Sequence, residues 1–458
     1  MTQVPRAAND WLAAIQAQTL RGDTAAAQIS LTQALAEHPA SVELRRARAG
    51  ICQQLGRTSD AEALLRELLA IAPGDAASAF MLAHMLKEQG RMSSAASVLL
   101  ACFADTSNCR DANLAINAIE LLDDCDRKTD AAAIARAALG ECPSDSRLHA
   151  YAGMLEIQLG EFERARQHYL YALNHDDRAW EWHVPIGLSS TQRYGDAAHA
   201  DFAWFGSGLD RKDLSGKARA EIHFALGKMH DDTGNHEQAA GHFRIGNAAA
   251  HQSTRWSRKA WRRAVEARLA TEPNRQPLEP SATFTPIFIV GMPRSGTTLL
   301  AELLFRYPEV CNRGELPWIA RLAGLPGLSG IPAHAELQRA ATLYTKYARQ
   351  DDAPEARWFI DKQPLNFRYI DLMLSMFPQA RIVHCQRNAR DTALSLWMQC
   401  FLEDVQGFAY DFDDIALVMR DCDRLMAHWC LQYPDSVRTV RYEELAVEPQ
   451  ATVASLAS

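Results

Sequence analysis

The stretch that decides the fold is Pro286–Thr298, PIFIVGMPRSGTT, in which a short apolar run leads into a loop bounded by two glycines. Ile287 to Val290 have the length and composition of a buried parallel strand. The residues from Thr297 to Arg306 have helical spacing. In such a strand, loop and helix, backbone N–H groups and the positive end of the helix converge on one tetrahedral anion. The stretch therefore predicts a site for a phosphate or a sulfate group.

The loop differs from that of the nucleoside triphosphatases at one informative position. Those proteins carry a lysine before the hydroxyl residue that holds Mg²⁺. Here Thr297 stands at the lysine position, and the cation of the loop is Arg294. We predict that the loop binds one charged group with the help of the arginine and without a metal ion. A P-loop kinase or NTPase is the disfavoured alternative. The other alternative is a chance glycine turn between a strand and a helix.

Strands and helices alternate after this loop. Such alternation predicts an α/β domain with a parallel sheet, helices on both faces, and ligands at the carboxyl ends of the strands. The predicted strands are 287–290, 358–360, 381–385 and 437–442, and helices are predicted from 297 to 306, around 370–374, from about 388, and from 414 to 433.

Pro293 to Thr298, PRSGTT, resemble the 5′-phosphosulfate loop of the sulfotransferases that use 3′-phosphoadenosine 5′-phosphosulfate (PAPS), in the form found in the tyrosylprotein sulfotransferases. The resemblance covers roughly residues 284 to 458. It implies a three-layer, P-loop-like sulfotransferase domain, PAPS as the sulfuryl donor and no metal. The donor-binding residues that it implies in the loop are Pro293, Arg294, Ser295, Gly296, Thr297 and Thr298.

Two further residues are candidates for catalysis together with Arg294. Glu315, in RGELPWIA, follows the first helix of the domain, and a glutamate at this spacing is the base of the tyrosylprotein sulfotransferases. Lys362 follows a strand and resembles the lysine of the family's DKxPxNF segment, which stabilises the leaving phosphate. Arg294 would share that charge. A helix-capping or exposed carboxylate and a surface lysine are the structural alternatives.

Arg387, at a strand end, and Ser395, two turns into the next helix, can contact one phosphate from two directions. The family uses this pair for the 3′-phosphate of its donor. The family's further basic residue four positions later is Gln399 here, so that contact is not expected. Tyr442 resembles a tyrosine that touches the nucleotide, and a strand-end tyrosine packed on the sheet is the alternative.

The acceptor is left open by the sequence. In the tyrosylprotein group two arginines after the base bind acidic peptides, and here the first place holds Pro317 while the second keeps Arg321. A tyrosine in a protein and the hydroxyl of a saccharide or small molecule are both compatible. Family members continue into a loop that covers the nucleotide, so we expect the carboxy-terminal part of the domain to be incomplete at Ser458.

The amino-terminal half is a repeat array with a period of 34 residues, seen at Gly22, Gly56 and Gly90. This period is typical of tetratricopeptide repeats, in which helical hairpins stack and small residues lie where the helices cross. We predict five or six hairpins in an all-α solenoid, with poor phasing from about 174 to 213. Ala27, Ala61 and Ala95 keep the same step. After a slip of two residues the phase returns with Ala131, Gly160 and Ala165, and a last unit appears at Gly234 and Ala239.

The predicted domains are a repeat solenoid at 8–270, a proline-rich linker at 271–283 and the sulfotransferase domain at 284–458. The basic helical stretch 256–268 is either a cap that docks on the next domain or a solvated face. A concave repeat surface would bind a peptide or protein, although stiffening or dimerising the chain is equally compatible. A repeat scaffold with an inactive P-loop-like domain is the alternative from another functional class.

Composition excludes several classes. A net charge of −8 argues against general nucleic-acid binding. No apolar run resembles a signal peptide or a membrane span, so we predict a cytoplasmic protein without a membrane partner. The ten cysteines form no CxxC pair and the fifteen histidines no HExxH motif, which argues against a metal site and a disulfide framework.

Overall fold

The structure is a computed structural model that describes residues 6–272, 276–328, 330, 332–353, 355–401 and 404–457. They form two compact units, one ending at Ala172 and the other beginning at Leu173.

The first unit consists of helical hairpins. Its repeated small residues are fully buried where the helices cross, because a methyl group is all that the short interhelical distance leaves room for. These residues are Ala27, Ala61, Ala95, Ala131 and Ala165. The helices are α1 Ala8–Leu20, α2 Thr24–Glu37, α3 Val42–Gln54, α4 Thr58–Ile71, α5 Ala76–Glu88, α6 Met92–Cys102, α7 Ala112–Asp124, α8 Lys128–Glu141, α9 Ser146–Gln158 and α10 Phe162–His175, which crosses the boundary.

Each hairpin turns through one residue in the left-handed region of the backbone map. Gly22, Gly56, Gly90 and Gly160 have φ between 73° and 81°, and Asp126 takes the same place with φ 56°. A 3₁₀ helix at 106–110 lengthens the connection between α6 and α7, which explains the two-residue slip in the repeat. The repeat prediction for this part of the chain is confirmed.

The second unit begins with helices and includes a sixth repeat-like hairpin, α13–α14, which turns at Gly234 with φ 77°. Helix α15 packs in the same unit as the sheet, and Trp261 Nε1 on α15 donates a hydrogen bond to Asp421 Oδ2 over 3.0 Å. In the stretch 256–268, Trp261 and Val265 are buried while most of the other residues are exposed. The predicted linker at 271–283 stays a prediction. The helices are α11 Val184–Ser190, α12 Ala200–Asp210, α13 Gly216–Asp232, α14 His236–Ser253 and α15 Arg258–Leu269.

A parallel five-stranded sheet follows, with the order β2-β3-β1-β4-β5. All seven residues of the central strand are buried, which explains its continuous apolar sequence. The short edge strand β2 was not predicted, because three residues carry too little periodicity. The strands are β1 Thr285–Gly291, β2 Val310–Asn312, β3 Trp358–Asp361, β4 Arg381–Gln386 and β5 Val437–Arg441.

Helices cover both faces of the sheet. Ile287 and Ile289 of β1 face a core shared with the helix that follows the loop, whereas Phe288 and Val290 face a larger core on the opposite side. The predicted three-layer α/β fold is confirmed. The helices are α16 Thr297–Leu304, α17 Trp318–Ala323, α18 His334–Arg349, α19 Ile370–Met376, α20 Ala389–Trp397, α21 Phe412–Gln432, α22 Tyr442–Val447 and α23 Pro449–Ala457.

The topology places a crevice at the carboxyl ends of β1 and β4, because the chain leaves these neighbouring strands toward opposite edges of the sheet. None of the helices in the described residues is both long enough and apolar enough to cross a membrane.

Candidate active site

The loop between β1 and α16 approaches its neighbours too closely for a side chain at two positions. Gly291 has φ 141°, and a Cβ there would lie 2.4 Å from the carbonyl oxygen of Cys385 on β4. Gly296 has φ 94°, and a Cβ there would lie 2.4 Å from the ring of Tyr442. Arg294 between them has φ 70°, which is uncommon outside glycine. The loop is therefore tightly curved and leads directly into the first turn of α16, where free N–H groups bind anions.

Two arginines and two hydroxyl-bearing residues meet beside this loop. Arg294 Nε donates a hydrogen bond to Ser395 Oγ on α20 over 3.1 Å. Arg387, just after β4, donates from Nη1 to the carbonyl oxygen of Arg294 over 3.2 Å. The Arg387 guanidinium carbon lies 4.6 Å from the ring centroid of Tyr442. Two guanidinium groups in one place favour an anion with several negative charges.

Glu315 and Lys362 form an ion pair at the ends of β2 and β3. Lys362 Nζ donates to Glu315 Oε1. The lysine side chain is 11% exposed and the glutamate side chain 45%. The ammonium group is therefore held inside while the carboxylate reaches solvent, where a substrate hydroxyl can approach.

A buried carboxyl group lies next to this pair. Asp361, the last residue of β3, accepts a hydrogen bond from the Tyr344 hydroxyl at 2.9 Å and one from Leu316 N at 3.4 Å. Burial raises the pKa of Asp361 to about 7, against the opposing effect of those hydrogen bonds. Burial and the neighbouring Asp361 raise the pKa of Tyr344 as well.

The residues around the loop fit a phosphosulfate donor. Ser295 Oγ and Arg387 Nε are both buried, and neither has a hydrogen-bond partner among the described residues. An unpaired buried donor costs about 1–3 kcal/mol. An oxyanion bound in the crevice would satisfy both donors.

Comparison with known proteins identifies this part of the chain. Residues 286–458 match the model described as the sulfotransferase family, and residues 19–83 match a tetratricopeptide-repeat model. The chain carries a sulfotransferase-family domain behind tetratricopeptide repeats.

Three curated relatives resemble part of this chain. A protein of Aquifex aeolicus (strain VF5), called uncharacterized, is 32% identical over 188 residues, which are 37% of this chain and 25% of that protein. Cytosolic sulfotransferase 8 of Arabidopsis thaliana is 26% identical, over 42% of this chain and 58% of its own length. Protein-tyrosine sulfotransferase 1 of Danio rerio is 23% identical, over 37% and 51%. The chain thus spans between a quarter and three fifths of the length of these relatives.

The sulfotransferase domain brings the predicted site residues to one edge of its sheet. Pro293, Ser295 and Thr297 are buried and Thr298 is exposed at the start of α16. The structure pairs Ser395 with Arg294, and the predicted contact of Ser395 and Arg387 with one phosphate stays a prediction. The roles of these residues remain proposals. Gln399 donates within its own segment, to Cys400 O over 3.4 Å.

Sequence reasoning missed three contributors to the sulfotransferase domain's site. Tyr344 lies on α18, which was not predicted. No role was predicted for Asp361, the residue before Lys362. Glu443 accepts a hydrogen bond from Asn388 N over 2.7 Å, which supports the turn after Arg387. The signal that could have found Asp361 is a carboxylate at the end of an otherwise apolar strand. The described residues contain no group of three or more His, Cys, Asp or Glu side chains placed to hold a metal ion.

Proposed function

We propose that the sulfotransferase domain transfers a sulfuryl group from PAPS to an acceptor hydroxyl. The observation that carries this proposal is that three groups lie at the carboxyl edge of one sheet. They are the curved loop with the unpaired Ser295 hydroxyl, the pair of arginines that includes the unpaired Arg387 Nε, and the ion pair with an accessible carboxylate. A single phosphate would need only the first of these. A donor with a 5′-phosphosulfate and a 3′-phosphate uses the loop and the cluster at once.

The residues of the chain have distinct parts in the proposed reaction. The loop amides, Ser295 and Arg294 bind the 5′ end of the donor, and Arg387 with Ser395 binds the 3′-phosphate, with Tyr442 beneath the Arg387 guanidinium. The donor supplies a sulfuryl group on a phosphate leaving group. No step requires the lysine of a nucleotide triphosphatase, whose place Thr297 takes.

The two residues of the ion pair act on the proton of the acceptor and on the charge of the leaving phosphate. Glu315 accepts the proton of the acceptor hydroxyl as the new oxygen–sulfur bond forms. Lys362 neutralises the negative charge left on the phosphate oxygen as the old sulfur–oxygen bond breaks. The products are a sulfate ester and adenosine 3′,5′-bisphosphate. Before reaction, the ion pair with Lys362 holds the Glu315 carboxylate in place.

Calorimetric titration tests the donor assignment. The full chain should bind adenosine 3′,5′-bisphosphate more tightly than ADP with Mg²⁺. Arg387→Ala should lower the affinity for the bisphosphate by at least about tenfold, as expected for the loss of one charge-assisted contact. Arg381→Ala is the matched control, because it removes the same charge from the other end of β4. Tighter binding of ADP with Mg²⁺ would refute the proposal.

A transfer assay tests the base. Glu315→Gln should lower the transfer rate by roughly 10²–10⁴-fold, the usual contribution of a positioned base. Glu309→Gln, an exposed carboxylate at the other end of β2, should leave the rate unchanged. Full activity of the Glu315→Gln protein would remove Glu315 from this role.

We propose a peptide tyrosine as the acceptor. The protein-tyrosine sulfotransferase among the relatives supports it. The exposed Arg321 supports it as well, since this residue is close to Glu315 in the sequence and its guanidinium carbon lies 5.0 Å from the ring centroid of Trp318. Sulfate transfer to an acidic tyrosine peptide, weakened by Arg321→Ala, is the expected result. Transfer only to a saccharide or a small phenol would replace this acceptor.

We further propose that the tetratricopeptide repeats bind a protein partner of this enzyme and that it acts in the cytoplasm. The repeat match supports the first of these proposals. A transfer rate that is higher on a folded protein acceptor than on the isolated tyrosine peptide from it is the expected outcome.

A further inference from the structure

The turn that carries Glu315 is tied to the end of β3 at three points. Arg313 N donates to Ile360 O over 2.9 Å, and Lys362 N donates to Gly314 O over 2.8 Å. The third tie is the hydrogen bond from Leu316 N to the Asp361 carboxyl. Glu315 therefore lies between two backbone attachments before it and one side-chain attachment after it.

The side-chain attachment depends on a residue from another element. Asp361 is 1% exposed and Tyr344, on α18, is also 1% exposed. The Tyr344 hydroxyl donates to Oδ2 of Asp361, which leaves Oδ1 aimed at Leu316 N. An ionised carboxylate accepts on both oxygens, so this arrangement uses the charged form of the aspartate.

We propose that Asp361 and Tyr344 are positioning residues that hold the Glu315 carboxylate opposite Lys362. The inference rests on the proposed function, since it assigns a purpose to the geometry of the catalytic pair. Neither residue touches the reacting atoms. Both act by restricting the turn 313–316, because a base displaced by about 1 Å can lose on the order of 10²-fold in rate.

The titratable groups that face Asp361 are Tyr344 from α18, Glu315 from the turn after β2, and Lys362 next in sequence. Because the pKa of Asp361 is raised to about 7, the attachment to Leu316 weakens as the pH falls through neutrality. The rate should then fall on the acid side of pH 7 for a reason separate from protonation of Glu315.

The test uses Tyr344→Phe and Asp361→Asn in the full chain, with Tyr194→Phe as the matched control. Tyr194 also donates to a buried aspartate, Asp201 Oδ2, over 2.7 Å, but Tyr194 lies in the segment between α11 and α12 and Asp201 lies on α12, outside the sheet. Tyr344→Phe should lower kcat at least roughly tenfold while KM for the donor stays within about twofold. Asp361→Asn should remove the acid limb near pH 7, because the amide does not titrate. Tyr194→Phe should change neither quantity.

Hydrogen exchange gives a readout that does not need turnover. Peptides covering 312–318 should exchange faster in Tyr344→Phe and Asp361→Asn than in the wild type and in Tyr194→Phe. Unchanged exchange there, or a Tyr344→Phe enzyme with the kcat of the control, would overturn the positioning role. If the wild type transfers no sulfate at all, the proposed function fails, whereas faster exchange in 312–318 would still support the attachment.

Discussion

Glycines with positive φ occur both in the repeats and in the loop after β1, and their surroundings differ. At Gly22, Gly56 and Gly90 in the repeats, a Cβ would meet nothing within 4 Å. At Gly291 and Gly296 in the loop, a Cβ would meet a neighbour at 2.4 Å. The repeats use glycine for its backbone conformation, and the loop uses it to bring a backbone close to a strand and a ring.

The two regions should therefore tolerate substitution of these glycines to different extents. Asp126 already takes the glycine place of one hairpin with φ 56°, which shows that this turn needs only a residue that adopts the left-handed conformation. No residue with a side chain fits the two loop positions without displacing its neighbours. The following predictions test this distinction, beginning with the largest effect.

Replacing Gly291 should have the largest effect. The Cβ of Gly291→Ala would overlap the Cys385 carbonyl oxygen, a backbone atom inside the sheet that cannot rotate away. The loss of unfolding free energy should exceed the roughly 1–3 kcal/mol expected from backbone strain alone, and binding of adenosine 3′,5′-bisphosphate should disappear. Gly90→Ala is the control and should cost only about 1–2 kcal/mol. Equal losses of unfolding free energy in Gly291→Ala and Gly90→Ala, measured by urea unfolding, would contradict the distinction between loop and repeat glycines.

Gly296→Ala should affect binding more than stability. The neighbour here is the ring of Tyr442, which can shift, but its shift also removes the support beneath Arg387. We expect at least a tenfold loss of bisphosphate affinity by calorimetry. The double variant with Tyr442→Ala should recover stability and not affinity. Recovery of both would mean that Tyr442 does not support the arginine.

The two regions should also differ in how pH affects stability. Asp361 has a raised pKa, so the folded state binds more protons between about pH 4 and pH 7, and its contribution to the unfolding free energy falls as the pH rises through that window. Burial lowers the pKa of His168 in the repeats to about 4, so the contribution of that residue falls as the pH drops from 6.5 toward 4.

Variants separate these contributions. The measurement is urea unfolding at several pH values. Asp361→Asn should reduce the fall in unfolding free energy as the pH rises toward neutrality, and His168→Asn should reduce its fall as the pH drops toward 4. The same change in slope from both variants would show that the pKa directions are wrong for one of them.

The smallest effect should come from Gly56→Asp. Because Asp126 has the equivalent place and open space surrounds Gly56, the loss of unfolding free energy should stay below about 1 kcal/mol. A loss as large as that of Gly291→Ala would show that the repeat glycine has a packing role.

The fold was predictable to the extent that patterns are local. The apolar run of β1, the loop, and the 34-residue period each lie within one stretch of chain, and the structure confirms the repeats and the parallel sheet. The three-residue β2 was missed, since its ends are set by pairing with β3 and not by local periodicity. Helix α18 was missed although its buried residues Leu337, Ala340, Ala341, Tyr344 and Ala348 follow helical spacing.

The candidate site was predictable residue by residue but not contact by contact. Strand-end positions and motif resemblance selected Arg294, Lys362, Arg387 and Ser395, because a parallel sheet presents all its carboxyl strand ends at one edge. The partner of each residue could not be predicted. Arg294 meets Ser395 across 101 residues of sequence, and Tyr344 meets Asp361 from a helix with no motif of its own.

By itself, the sequence determined a repeat array, a glycine-bounded anion loop and the set of charged residues at the strand ends, since backbone conformation and hydrophobic periodicity are written in neighbouring residues. Only the tertiary structure decided which charges meet, which carboxyl group is buried and which glycines are crowded. Those properties depend on the distance between strands and helices far apart in the chain. Burial is the main cause that raises the pKa of Asp361 to about 7.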